Sequence, residues 1–544
     1  MNRLALVTLS AILVLPGLVH CATQQVFQYL ASPTVKLDDA TFTGIFDGDT
    51  AQFLGIPFAK PPIGNLRFQV PQPVPPYEGS HTAVAYGPAC PQMELIQVGI
   101  LEIPPKLSTS EDCLTLNVFT PAVMLPGSKL PVVVFIFPGG FEIGSSQSVF
   151  GNITVSRSSQ MHEPVIYVSM NYRLGAWGFL ASEEVKQAGT GNLGLRDQRL
   201  ALHWVQKYIS SFGGDPAKVT IWGESAGAIS VSLQMLAYDG DNEGLFRAAF
   251  MQSGSPIPVG DITNGQQYYD FLVDETGCKG SLDTLECLRG VPQETLQAAV
   301  DETPSMLSYQ ALVFAWMPRV DGIFLTDNFQ RLVQQGKIAN VPFITGNCDD
   351  EGTIFSMSST NITTSEQFRG YLKTYWAGNA TDEEIDGILL MYPQDPTTGS
   401  PFGTGTLNQL SPQFKRIAAF QGDFMFQAPR RFLLHERSGK QKIWTFLSKG
   451  LKAIPFLGAF HSSDFVDEML GRPGNMLDHL IKFAAHLDPN LDLGSSIFWP
   501  EYTVESQDML MFGEWILSPR TIIQDTYRKE PMEYLTNFTL AHPL

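Results

Sequence analysis

The chain predicts an α/β protein built on a large, mostly parallel sheet flanked by helices. Three observations carry that expectation. Short β-branched runs recur along the 544 residues. They lead into Gly-rich turns and then amphipathic stretches with helical spacing. The runs are also apolar throughout rather than alternating, as strands covered on both faces must be.

The elements follow in order. Residues 1–21 read as a secretory signal: Arg3 supplies a positive charge, Leu4–Val19 is apolar, and cleavage is expected after Cys21. That run is shorter than the roughly 20 residues needed to span a bilayer. Pro131–Phe137 (PVVVFIF) is the first clear buried strand, followed by Val165–Ser169 and Val219–Trp222. Between the last two, Asp197–Ile209 places Leu200, Leu202, Val205 and Ile209 near one helical face. Val341–Thr345 and Lys442–Leu447 are later strand candidates. No repeat or low-complexity linker divides the chain, so residues 22–544 read as one domain.

Composition narrows the partners. Acids outnumber bases 54 to 35, giving a net charge of -19. Such a surface repels phosphate backbones and anionic headgroups, so nucleic acid is excluded. No later apolar stretch is long enough for stable membrane insertion, and a secreted, extracellular monomer or weak dimer is expected. Sequons at Asn152, Asn361, Asn379 and Asn537 permit glycans in that compartment. The cysteines form no C-x-x-C pair, so neither a metal site nor a redox motif is expected. A literal G-x-G-x-x-G at Gly189–Gly194 follows a polar helical stretch rather than a strand, which argues against a nucleotide. No cofactor is implied.

The chemistry concentrates in one stretch. Val219–Trp222 runs into Gly223-Glu224-Ser225-Ala226-Gly227 and then a helix-compatible run. This G-x-S-x-G context predicts a nucleophilic serine on a strained strand-to-helix turn, with the Ala226 amide placed to stabilise an oxyanion. A second donor is expected from Gly139 and Gly140, after the strand ending at Phe137. The base and acid should follow in the order serine, acid, histidine. His435, His479 and His486 fall on helical segments and His542 lies near the end, whereas His461 follows a strand in a Gly-rich loop. The acid lies in Asp349-Asp350-Glu351, and spacing does not choose among the three.

Phe212–Gly227 (FGGDPAKVTIWGESAG) and Glu111–Val118 (EDCLTLNV) resemble the two signatures of type-B carboxylesterases and lipases. Asn171–Leu180 and Asn192–Ala201 are similar to further family segments. Phe141–Gly144, Ser400–Phe402, Pro412–Arg416 and Leu457–His461 resemble the fungal branch typified by Candida rugosa lipase and by sterol and carotenoid ester lipases. The resemblance implies an α/β-hydrolase fold, and it selects Glu351 as the acid beside Ser225 and His461. It implies oxyanion donors at Gly139, Gly140 and Ala226; Pro138 stands where these lipases have a first glycine, and proline cannot donate. It implies disulfides Cys90–Cys113 and Cys278–Cys287, leaving Cys348 free.

The family also implies a substrate class. Cholinesterases place a key tryptophan inside the first disulfide loop, but residues 91–112 contain no aromatic. That loop, 90–113, is instead rich in Met93, Leu95, Ile96, Val98, Ile100, Leu101 and Ile103. In the lipase branch it is a mobile lid whose apolar face docks on lipid. Ile229, Met306, Phe355, Phe424 and Phe426 match positions lining the acyl tunnel. The expected enzyme is therefore a carboxylic ester hydrolase acting on apolar, long-chain esters at a lipid–water interface. A short-chain or feruloyl-type carboxylesterase is the alternative. Some relatives are non-catalytic adhesion modules that lose the serine, whereas all three triad positions stand here.

Overall fold

The computed structural model describes residues 31–94, 107–147, 150–469, 475–490, 497–513 and 520–544. The expected signal peptide and the lid residues Leu95, Ile96, Val98, Ile100, Leu101 and Ile103 lie outside them. The strands are β1 (Thr34–Leu37), β2 (Asp39–Thr43), β3 (Ile45–Asp47), β4 (Thr50–Pro57), β5 (Glu78–Thr82), β6 (Thr115–Pro121), β7 (Leu130–Ile136), β8 (Ile166–Met170), β9 (Gly214–Glu224), β10 (Ala248–Gln252), β11 (Phe343–Cys348), β12 (Ile443–Ser448), β13 (Asp508–Phe512) and β14 (Thr521–Gln524). β1, β2 and β5 form a small separate sheet.

Among the described residues, the other eleven strands form one sheet in the order β3-β4-β6-β8-β7-β9-β10-β11-β12-β13-β14. Neighbours from β8 to β13 run parallel. The margins at β3, β4, β6 and β14 are antiparallel. β8, β10, β11 and β12 are buried along their whole length, which explains why their sequences do not alternate. Helices flank the sheet; Ala226–Gly240 packs on β9 and β10, and Met476–His486 packs on β7 and β9.

The order of strands also fixes where a site can form. From β7 the chain crosses to β8 on one side, then returns to β9 on the other. The carboxyl ends of β7 and β9 thus flank a switch point, where such sheets open a crevice.

Several expected elements shift at their ends. The helix expected over Asp197–Ile209 begins at Leu193 and ends at Tyr208, and Leu200 is only half-buried. It starts early because Gly194 lets it press on the chain before it: a Cβ there would lie 2.5 Å from the Arg173 carbonyl oxygen. Gly191 similarly abuts Asp321. Gly191 and Gly194 are thus packing glycines, and Gly189 is the left-handed cap of the helix Glu183–Ala188 that precedes them. The family motifs are tied together nearby. Arg173 donates to both carboxylate oxygens of Asp197 at 2.8 and 2.7 Å, and Arg67 does the same to Glu111 at 2.6 and 2.7 Å.

Cys90–Cys113 and Cys278–Cys287 are bonded, and Cys348 is a buried free thiol. Asn361, Asn379 and Asn537 stand exposed. Asn152 differs: its amide nitrogen donates to Asp47 at 2.6 Å, and its oxygen accepts from Thr50 and Gln52. Among the described residues, no helix is long and apolar enough to cross a membrane.

Candidate active site

Ser225 sits where β9 ends and the helix Ala226–Gly240 begins, at φ 54 and ψ -125. A non-glycine residue there is strained, and the surroundings must over-determine it. They do. The Ser225 N–H donates to the Gln252 carbonyl at 2.8 Å, and the Ser225 carbonyl accepts from Ile229 at 2.9 Å. Both flanking glycines are sterically required. A Cβ at Gly223 would lie 2.3 Å from the Gly227 backbone, and one at Gly227 would lie 2.0 Å from the Ile136 carbonyl oxygen.

β7 delivers the facing turn. Gly139, Gly140 and Phe141 have φ of 117, 63 and 61. The Gly139 carbonyl accepts the N–H groups of Glu142 and Ile143, closing the turn. Gly140 and Ala226 line one cavity with Ser225, while Gly139 stands outside its wall.

The histidine and the acid converge from β12 and β11. His461 Nε2 lies 2.7 Å from Ser225 Oγ, and His461 Nδ1 lies 2.5 Å from Glu351 Oε2. The other Glu351 oxygen accepts from Ser253 Oγ at 2.6 Å and the Cys348 N–H at 2.7 Å. Asp349 and Asp350 turn elsewhere: both accept from Lys452 Nζ at 2.6 Å. Asp350 also accepts from Ser400, Phe402 and Ala459, pinning the loop that carries His461. Phe355 and Phe426 pack on the imidazole with ring centroids 5.2 and 4.6 Å away.

Sequence reasoning missed the groups behind the histidine. Glu224 Oε1 is 3.8 Å from His461 Nε2 and accepts from Ser462 Oγ at 2.7 Å. Burial pushes the Glu224 carboxyl up to about 8, with the nearby imidazole opposing. Asp464 accepts from Gln252 at 3.2 Å and the Cys348 thiol at 3.4 Å, and burial raises its carboxyl too. Burial alone would lower the His461 imidazole, but Glu351 and then Glu224 and Asp464 outweigh it, so its pKa is raised. Only Glu224 had a signal in the sequence, as the residue before the serine. Ser253 and Asp464 had none.

The cavity over Ser225 holds about 30 Å³. Ile229, Met306, Phe355 and Phe426 line it, joined by Met317 and Met425. Phe424 does not. Its ring packs between Trp376 and Phe420, with centroids 5.0 and 5.5 Å away. The reason is helical geometry. Residues two apart on a helical turn point to roughly opposite sides, so Phe424 and Phe426 face different walls. The π-turn Asp423–Gln427 then brings Met425 beside Phe426.

This geometry coincides with the comparisons. A model described as the carboxylesterase family matches residues 31–517. The chain belongs to the carboxylesterase family. It is accordingly a carboxylic ester hydrolase. Lipase 4 of Diutina rugosa is 44% identical over 501 residues, covering 88% of this chain and 91% of that protein. Secreted lipase 1 of Botryotinia fuckeliana is 39% identical and covers 93% of each chain. The crystal structure of Aspergillus niger EstA superposes with a TM-score of 0.80 at 28% identity, covering 94% of this carboxylesterase and 99% of EstA.

Proposed function

We propose that this carboxylesterase is a secreted, lipase-type enzyme that opens apolar esters through an acyl-serine. The continuous chain Ser225–His461–Glu351, with contacts of 2.7 and 2.5 Å, carries the reading. His461 Nε2 takes the hydroxyl proton as Ser225 Oγ attacks the ester carbonyl. The Ala226, Gly140 and Gly139 N–H groups receive the charge that develops on the carbonyl oxygen. The imidazolium, stabilised by Glu351, then protonates the departing alcohol. Water, deprotonated by the same histidine, releases the acid. A relative named as a secreted lipase at 39% identity, and a secreted triacylglycerol lipase of Gibberella zeae at 38%, support both the lipase assignment and secretion. The exposed sequons Asn361, Asn379 and Asn537 are the proposed glycan acceptors.

The raised imidazole sets the pH dependence. The base works only when neutral, and a raised pKa keeps it protonated to higher pH. Activity is therefore lost as pH falls through that value. On a neutral ester, kcat/KM is expected to rise with pH through a midpoint above the ordinary 6.5. Glu224→Gln should lower the midpoint by removing a carboxyl that favours the imidazolium. A wild-type midpoint at or below the ordinary value would contradict this account.

Chain length tests the substrate class. Each buried acyl methylene contributes about 0.8 kcal/mol, so four more carbons inside the wall favour a long ester by about 3 kcal/mol, roughly 200-fold. A cavity of about 30 Å³ holds no such chain unrearranged, and that observation favours a second reading, a short-chain esterase. The three methionines are unbranched and can repack around an entering chain. The expected result is a higher kcat/KM on C8 to C18 acyl esters than on acetate, rising further at an interface or with detergent. Acetate as best substrate, with no response to detergent, would leave the short-chain reading standing.

A further inference from the structure

We infer that Glu142 is a positioning residue for the Gly139–Gly140 turn, holding it in place over Ser225 by way of Met306. Glu142 is fully buried and joins three segments. Its N–H donates to the Gly139 carbonyl at 3.1 Å, closing the turn. Its carbonyl accepts the Met93 N–H at 3.0 Å, at the foot of the first disulfide loop. Its Oε2 accepts the Met306 N–H at 2.8 Å. Met306 in turn covers Gly140 so closely that a Cβ there would lie 2.3 Å from its Sδ. The carboxyl thus fixes the backbone of the side chain that lies on the second donor.

A residue that merely filled this space would be apolar. Glu142 instead buries a carboxyl whose Oε1 has no hydrogen-bond partner among the described residues. Such groups are rare in folded proteins and concentrate where geometry is over-determined for function. Burial raises this carboxyl well above the usual range, opposed only by the Met306 N–H. The role visible in the contacts is to accept one hydrogen bond, from the Met306 N–H. An amide oxygen can do the same; a methyl group cannot.

The role predicts a particular split. The turn matters when charge reaches the carbonyl oxygen, so a displaced turn lowers kcat more than it weakens binding. A small misplacement of a donor costs about 10- to 100-fold. The inference rests on Gly140 being an oxyanion donor, as proposed above.

The test measures kcat and KM on a soluble acetate ester, with reactive serine counted by a phosphonate probe. Glu142→Gln should stay within about threefold of wild type. Glu142→Leu should lose about 10- to 100-fold in kcat, with KM within about twofold and every folded molecule still labelled. If Glu142→Leu does not fold, Glu142→Met, closer in length and equally without an acceptor, carries the test; the same split is expected. Unchanged kcat in the variant that folds overturns the inference. So does an equal fall in Gln and Leu variants, or a loss that only tracks the number of labelled serines. If the probe labels wild type somewhere other than Ser225, the proposed triad falls instead, and the two failures are told apart.

Discussion

Ser225→Ala is expected to lower kcat/KM by about four to six orders of magnitude and to leave the fold intact. Alanine keeps the Cβ, so the turn at φ 54 is no more strained than before. The backbone bonds to Gln252 and Ile229 are untouched. What disappears is the hydroxyl 2.7 Å from His461 Nε2, and with it the acyl-enzyme route. The residual rate, about 10³ to 10⁴ over water, would come from the oxyanion donors and from binding. Hydrolysis of a chromogenic ester and a melting curve check both halves. Turnover near wild type in rigorously purified protein would remove Ser225 from the mechanism.

Glu351→Gln is expected to cost about 10⁴-fold, through the histidine rather than through charge alone. The Glu351 Oε1 position accepts two donors, Ser253 Oγ and the Cys348 N–H, so the amide oxygen will settle there. The NH₂ group then faces His461 Nδ1. That nitrogen must become an acceptor, which moves the ring proton to Nε2, where the proton of Ser225 has to go. Asp349→Asn and Asp350→Asn should cost far less in kcat/KM, because both side chains face Lys452. Asp350→Asn should instead lower stability, by about 1 to 3 kcal/mol, since it satisfies Ser400, Phe402 and Ala459 as well. Comparing the three variants in one assay, alongside their melting temperatures, decides the matter. A larger kinetic loss at Asp349 or Asp350 than at Glu351 would move the acid.

The difference between these carboxylates shows what spacing could not supply. Asp349, Asp350 and Glu351 are consecutive, so any of them could follow β11 into the site. The choice depends on where β12 and the loop after it lie, and those residues are about 100 positions away. The family resemblance pointed to Glu351; the contacts with His461 and Lys452 show why the neighbours face elsewhere. Phe424 is a different case. The resemblance placed it on the acyl tunnel, whereas its ring packs between Trp376 and Phe420, and Met425 lines the cavity beside Phe426.

The sequence by itself determined the parts that are local. Continuous apolar runs specified buried parallel strands, because both faces of such a strand meet helices. Gly223, Ser225 and Gly227 specified the turn, because only glycine fits where backbones approach within van der Waals contact. The tertiary structure alone decided what depends on residues distant in the chain. It placed Glu224 and Asp464 around the imidazole and Ser253 on Glu351, put Glu142 beneath Met306, and set the cavity at about 30 Å³. The reason is physical. Strand and turn propensities act over a few residues, whereas burial, carboxyl pKa and cavity volume come from surfaces that meet only once the sheet has assembled.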